Sequence, residues 1–189
     1  MKSVAAVVLA AGASNRLGEL KQLALLGEET LLERAVRVAR EARCEPVMVV
    51  MGADYVRVLG NSRLGDAVLV INDEWEEGMA SSIRAGVRAL RFAAKDTEGV
   101  LLMTCDQPAV TAEHLRSLMR RSEVKASRYA GRNGVPAFFP TECFESLMAL
   151  TGDAGARELL AEAQYEELAG GELDVDTVED LARARALFG

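Results

Sequence analysis

Two cations and two carboxylates in this chain have the types and positions to act together on phosphate. Arg16 and Lys21 lie five residues apart in VAAVVLAAGASNRLGELKQ, residues 4–22. Arg offers a flat fork to phosphate oxygens and Lys a mobile point charge, so the pair suits a run of phosphates better than a single carboxylate. Before them, the apolar run Val4 to Ala10 breaks into Ala11, Gly12, Ala13 and Ser14. A buried parallel strand feeds a tight loop in this way. There a glycine and small neighbours let successive amides turn toward one anion. Asp106 directly follows another apolar run, 99–104. A carboxylate beyond a buried strand stands at the active edge of a parallel sheet and offers the hard oxygen that Mg²⁺ requires. A turn or helix-capping role before Thr111 is the bland alternative. In LDVDT, residues 173–177, Asp174 and Asp176 face one side of an extended segment.

Two familiar nucleotide loops are excluded. Lys21 follows Leu20 and precedes Gln22, which is not a Walker-type loop, and Gly12 and Gly18 lack the close spacing of a dinucleotide fingerprint. LAAG with Ser14, Arg16, Gly18 and Lys21–Gln22 does resemble the signature loop of the nucleotidyltransferases related to molybdenum cofactor biosynthesis. CDQP at 105–108, GDAGARELL at 152–160 and LDVDT match further motifs in the same order, with Val178 where the family pattern has a proline. The loop NDEWEEGMASS, residues 72–82, is similar to the base-contacting loop of the cytidylyltransferase branch. LAAG replaces the LAGG of the guanylyltransferase branch.

The resemblance implies site roles. Leu9, Ala10, Ala11, Gly12, Ser14, Arg16, Lys21, Asn72, Gly78, Ser81 and Ser82 would hold the nucleotide, and Gln107, Gly134 and Pro136 would border a pterin substrate. Arg16, Lys21 and Asp106 would carry the transfer, with Asp106 and Asp176 on Mg²⁺. Taken alone, several of these positions admit plain structural readings. Gly131 and Gly134 suit a turn, Ser81 or Ser82 a helix cap, Trp75 a core aromatic, and Asp153 the cap of a helix over 152–160.

The surrounding elements predict an α/β chain, a Rossmann-like three-layer fold with a mainly parallel sheet and an antiparallel excursion near residues 125–139. Apolar runs at 47–51, 67–71 and 99–104 alternate with helical patterns, and LDVDT adds a short strand. Thr30 with Glu33 and Thr177 with Asp180 predict capping boxes, and a further helix is expected from Thr111 to about Ser122. The turn of the excursion is expected in GRNG, residues 131–134. With 189 residues and no Pro-, Gly- or Ser-rich linker, one domain is expected. The net charge of −7 argues against nucleic acid as a partner. The absence of a long apolar run argues against a membrane and for a cytoplasmic protein. Cys44, Cys105 and Cys143, odd in number and widely spaced, fit neither a disulfide framework nor a zinc site. The lone His114 reads as a surface histidine on a helix.

The expectation is therefore Mg²⁺-dependent transfer of CMP from CTP to the phosphate of a molybdopterin-type substrate, with a molybdenum hydroxylase as a candidate recipient of the product. A sugar phosphate or other phosphorylated small molecule as acceptor, and a non-catalytic molybdenum cofactor carrier, are the alternatives.

Overall fold

The structure is a computed structural model, in which residues 3–12, 17–120, 122–153 and 155–189 are described. The central strand β1, Val4–Ala10, has alternating residues buried against helices on both faces, which is why its sequence is continuously apolar. A two-residue hairpin, β2 Leu25–Leu26 with β3 Glu29–Thr30, leads into α1, Leu31–Glu41. The predicted capping box is present: Thr30 Oγ1 accepts from Glu33 N and Glu33 Oε2 accepts from Thr30 N. Next come β4 Val47–Met51, α2 Tyr55–Gly60, β5 Val68–Ile71, α3 Met79–Ala93 and β6 Gly99–Thr104. β5 pairs with β4, β4 with β1 and β1 with β6, all in parallel.

After α4, Ala112–Leu118, the chain reverses through β7 Lys125–Tyr129 and β8 Arg132–Pro140. β8 runs antiparallel to β6, β7 antiparallel to β8, and β9, Gln164–Glu167, parallel to β7. The sheet order is β5-β4-β1-β6-β8-β7-β9. The parallel part therefore winds outward from β1 to β5, then crosses back to β6 on the other side of β1. Crevices at such a reversal, outside the carboxyl ends of the strands, are where ligands of open α/β sheets bind.

Three layers follow from two cores. Ala6, Val8 and Ala10 pack with α1 and α4, whereas Val7 and Leu9 pack with Ile83, Val87 and Leu90 of α3 and with α5, Phe144–Met148. Gly86 permits the close approach of α3: a Cβ there would lie 2.6 Å from Val7 Cγ1 and 3.1 Å from Val50 Cγ2. A third cluster joins α7, Val178–Phe188, to Leu26, Leu31, Leu173 and Val175. The expected Thr177–Asp180 capping box opens α7.

Several expectations are corrected. Residues 173–177 form no strand; they run as a loop held by the donation of Val175 N to Asp106 O at 2.9 Å. The excursion turns at Ala130 and Gly131, both at positive φ, one step before GRNG was expected to turn. The fourth helix stops at Leu118 rather than near Ser122. Of residues 152–160, only Arg157–Leu160, α6, is helical, and Asp153 does not cap it. His114 is 9% exposed, its Nε2 2.7 Å from Ser127 Oγ, so it is a buried helix residue and not a surface one. Ser127 Oγ spends its one proton on Pro136 O, leaving His114 Nε2–H as the donor between them.

Candidate active site

The carboxyl ends of β1 and β6, flanking the reversal, open into a cavity of about 680 Å³. Leu9, Ala10, Ala11 and Gly12 form one wall, Thr104, Cys105 and Asp106 another, and Trp75 to Met79 with Ser82 and Asp153 a third. Lys21 and Gln22 enter from a short 3₁₀ turn, Lys21–Leu23. A Cβ on Gly12 would meet none of the described residues within 4 Å, and Gly12 lines the cavity.

Gln22 was not among the expected site residues, yet it fixes the loop. Its side chain is buried, and Nε2 donates to Ala10 O at 2.8 Å and to Gly12 O at 3.0 Å. Nothing in the spacing distinguished this amide from its polar neighbours. Its position directly after Lys21 was the available signal.

Lys21 Nζ lies 2.8 Å from Asp106 Oδ2 and 2.6 Å from Asp176 Oδ1. Burial alone would lower the lysine's pKa. The charge of Asp106 and the hydrogen bonds from Asp106 and Asp176 outweigh it and hold the ammonium well above its ordinary value. A loop from the far end of the chain thus delivers Asp176 to Asp106 through the Val175 N to Asp106 O bond and the α7 cap, without the strand the alternation suggested. Asp174, on the same loop, has its carboxyl raised to about 6, first by desolvation and then by Asp106, against a hydrogen bond from Gln107. Burial, and then the charge of Asp106, push the Cys105 thiol up to about 12, which removes it as a nucleophile.

The two carboxylates fit a divalent ion. They converge on one cationic atom in the position a metal would share, and both donors are hard oxygens. Among the described residues no group of three or more His, Cys, Asp or Glu converges on a metal site, so the remaining ligands would be water and phosphate, the usual company of Mg²⁺.

The third wall is built by side chains beneath it. Asn72 Nδ2 donates to Ser81 Oγ at 2.8 Å and Ser82 Oγ at 3.0 Å, its Oδ1 accepts from Glu74 N, and Ser81 Oγ donates to Gly78 O. Asn72 and Ser81 therefore shape the loop from behind, while Gly78 and Ser82 line the cavity. Neither serine is the cap of α3. Gly78, at φ 116°, is its N-cap, and Asp153 Oδ1 accepts from Met79 N at 3.4 Å from a different part of the chain. Trp75 lines the cavity instead of a core, seated over Gly52, where a Cβ would lie 2.5 Å from its own.

Gln107, Gly134 and Pro136 gather apart from this cavity. Gln107 Nε2 donates to Tyr129 Oη at 3.2 Å and to Gly171 O at 3.4 Å, and Tyr129 Oη donates to Val135 O. Gly134 is a packing glycine rather than a turn residue: a Cβ would stand 2.4 Å from that hydroxyl. Ser14 and Arg16 lie outside the described residues.

A MobA-like NTP transferase domain matches residues 6–168. The chain belongs to this family. Two relatives are each 30% identical over 95% of this chain: the purine catabolism protein PucB of Bacillus subtilis, 94% of it covered, and nicotine blue oxidoreductase of Paenarthrobacter nicotinovorans, 95% covered. A probable molybdenum cofactor guanylyltransferase of Opitutus terrae is 32% identical over 73% of this chain and 67% of its own. The molybdenum cofactor cytidylyltransferase of Escherichia coli is 23% identical over 100% and 98%. Crystal structures of Rv0371c from Mycobacterium tuberculosis superpose with TM-scores of 0.84 at 33% identity and, in complex with manganese, 0.80 at 29%, each covering 98% of both chains. The family match ends before Asp176, so the matched stretch does not include that carboxylate.

Proposed function

We propose that this member of the MobA-like family transfers CMP from CTP to the terminal phosphate of a molybdopterin-type substrate and releases pyrophosphate. The observation that carries the reading is the convergence of Lys21, Asp106 and Asp176 on one point in the cavity that Gly12 lines. A substrate phosphate oxygen would attack the α-phosphorus while the bond to the β-phosphate oxygen breaks and its electron pair leaves with pyrophosphate. That oxygen is already a nucleophile, so the protein's work is alignment and charge neutralisation.

Ala10 to Gly12 supply the cradle, Gln22 holds it in shape, and Lys21 and Arg16 supply positive charge to the phosphates. Asp106 and Asp176 would hold Mg²⁺, which lowers the cost of charge building on the transferring phosphoryl group. The family name supports nucleotidyl transfer, the guanylyl- and cytidylyltransferase relatives support a molybdenum cofactor acceptor, and the manganese-bound neighbour supports a divalent ion. For the base, Ala11 adds a methyl to the cavity wall, and a rigid wall penalises a larger ring more than a smaller one.

Pyrophosphate release from CTP, GTP and ATP with one molybdopterin preparation tests this, with CTP expected to give the highest kcat/KM. Preference for GTP overturns the base assignment, and no release with any nucleotide overturns the transfer. The relative named nicotine blue oxidoreductase favours a second reading, a reductase. Oxidation of NADH or NADPH by the protein with an added quinone-type dye as the electron acceptor would support it.

A further inference from the structure

Lys21 is placed where a metal would be placed. Its ammonium nitrogen is within 2.8 Å of Asp106 Oδ2 and 2.6 Å of Asp176 Oδ1, with the lysine and Asp106 side chains both more than four-fifths buried. A partly buried pair of carboxylates is costly without a counter-charge, and Lys21 reaches both. We infer that Lys21 acts as a resident cation that keeps the divalent ion out until a nucleotide arrives, so that the nucleotide precedes or accompanies the metal. The inference rests on the metal-site reading above.

Three observations make the exchange workable. The lysine has a long unbranched stem and stands on a three-residue turn beside the Gly12 loop, so its ammonium has phosphate positions within its sweep. The two carboxylates do not depend on Lys21 for their placement: Val175 N bonds Asp106 O, and Asp180 Oδ2 accepts from Asp176 N and Thr177 N. The pair therefore stays assembled when the ammonium leaves. Finally, a triphosphate offers Lys21 several anionic oxygens and brings the metal its missing ligands, so one arrival favours both halves of the exchange. The coupling is reciprocal: whatever the nucleotide does for metal affinity, the metal does for nucleotide affinity.

The test is Mn²⁺ binding, read as loss of the free-ion EPR signal, in the full chain without nucleotide and with a non-hydrolysable CTP analogue. Lys21→Met should bind Mn²⁺ without nucleotide at least roughly tenfold more tightly than the parent protein, since the ammonium that bridges the two carboxylates is gone. Lys21→Arg keeps a cation and should bind as weakly as the parent. The nucleotide-induced gain in affinity should be smaller in Lys21→Met than in the parent.

Circular dichroism melting identifies a Lys21→Met that does not fold, in which case Lys21→Gln takes its place. Equal Mn²⁺ affinity in parent and folded Lys21→Met, with Asp106→Asn abolishing the nucleotide-dependent binding, overturns the exchange and leaves the metal-site reading standing. If adding Asp106→Asn to Lys21→Met leaves Mn²⁺ binding unchanged, the metal is elsewhere, and that reading fails with the exchange.

Discussion

At the scale of single residues, the proposed mechanism separates groups that would touch the reaction from groups that hold others in place. It puts Asp106 in the first kind. Asp106→Asn should fold with unchanged melting behaviour but lose about 10²-fold or more in metal-dependent pyrophosphate release, because a neutral amide is a poor ligand for a hard cation. Near-parental turnover would remove Asp106 from the mechanism. Gln22 belongs to the second kind. Gln22→Leu strips the carbonyls of Ala10 and Gly12 of their buried donor. It should cost about 1–3 kcal/mol by urea unfolding and, through a displaced loop, roughly tenfold or more in kcat/KM. An unchanged nucleotide KM would show that the loop holds its shape without the amide.

Elements set how near those residues come to one another. α3 carries the third wall of the cavity at its N-terminal end and can lie low on the sheet because of Gly86. Gly86→Val would drive a side chain into Val7 and Val50, so it should destabilise the fold by about 1–3 kcal/mol. By lifting α3 it should also raise the nucleotide KM while sparing affinity for free pyrophosphate. A variant as stable as the parent in urea would contradict the close seating.

The alternation of apolar runs and helical patterns made the sheet and its helices legible from sequence, and both capping boxes were readable because their partners are three residues apart. The carboxylate after β6 was legible for a similar reason: a short-range boundary marked it. What escaped was long-range. The acceptor for Met79 N at the start of α3 is Asp153, seventy-four positions away, and the Gln22 amide reaches back twelve and ten residues. No local pattern encodes either. Residues 173–177 misled because two aspartates two apart suit a strand, whereas the bonds of Leu173 N to Gly170 O and Val175 N to Asp106 O, with the cap of α7, position them instead.

For the whole molecule, pH acts through the sole histidine as well as through the acidic surface. Desolvation keeps the pKa of His114 below its ordinary value, with Lys125 adding to that and Glu166 opposing it, and Ser127 receives its Nε2–H. The folded state thus binds this proton less readily than the unfolded chain, whose histidine titrates near 6.5. The contribution is present above pH 6.5 and is lost as the pH falls below it. The urea midpoint should drop between pH 7.5 and pH 5.5, and by less in His114→Gln. The ring resonances in NMR should titrate below 6.5. Equal drops in both proteins would remove His114 as the cause.

The tether from Val175 N to Asp106 O also bears on when the site comes into being during synthesis. Domains form as the chain leaves the ribosome, from the amino end onward. The Gly12 loop and Asp106 emerge well before residue 176. A nascent chain halted before that point carries the cradle and one carboxylate, but not the second carboxylate or the helix that caps it. On the proposed mechanism such a chain can meet cellular nucleotides without being equipped to spend them, and competence arrives only once Asp176 and α7 are in place.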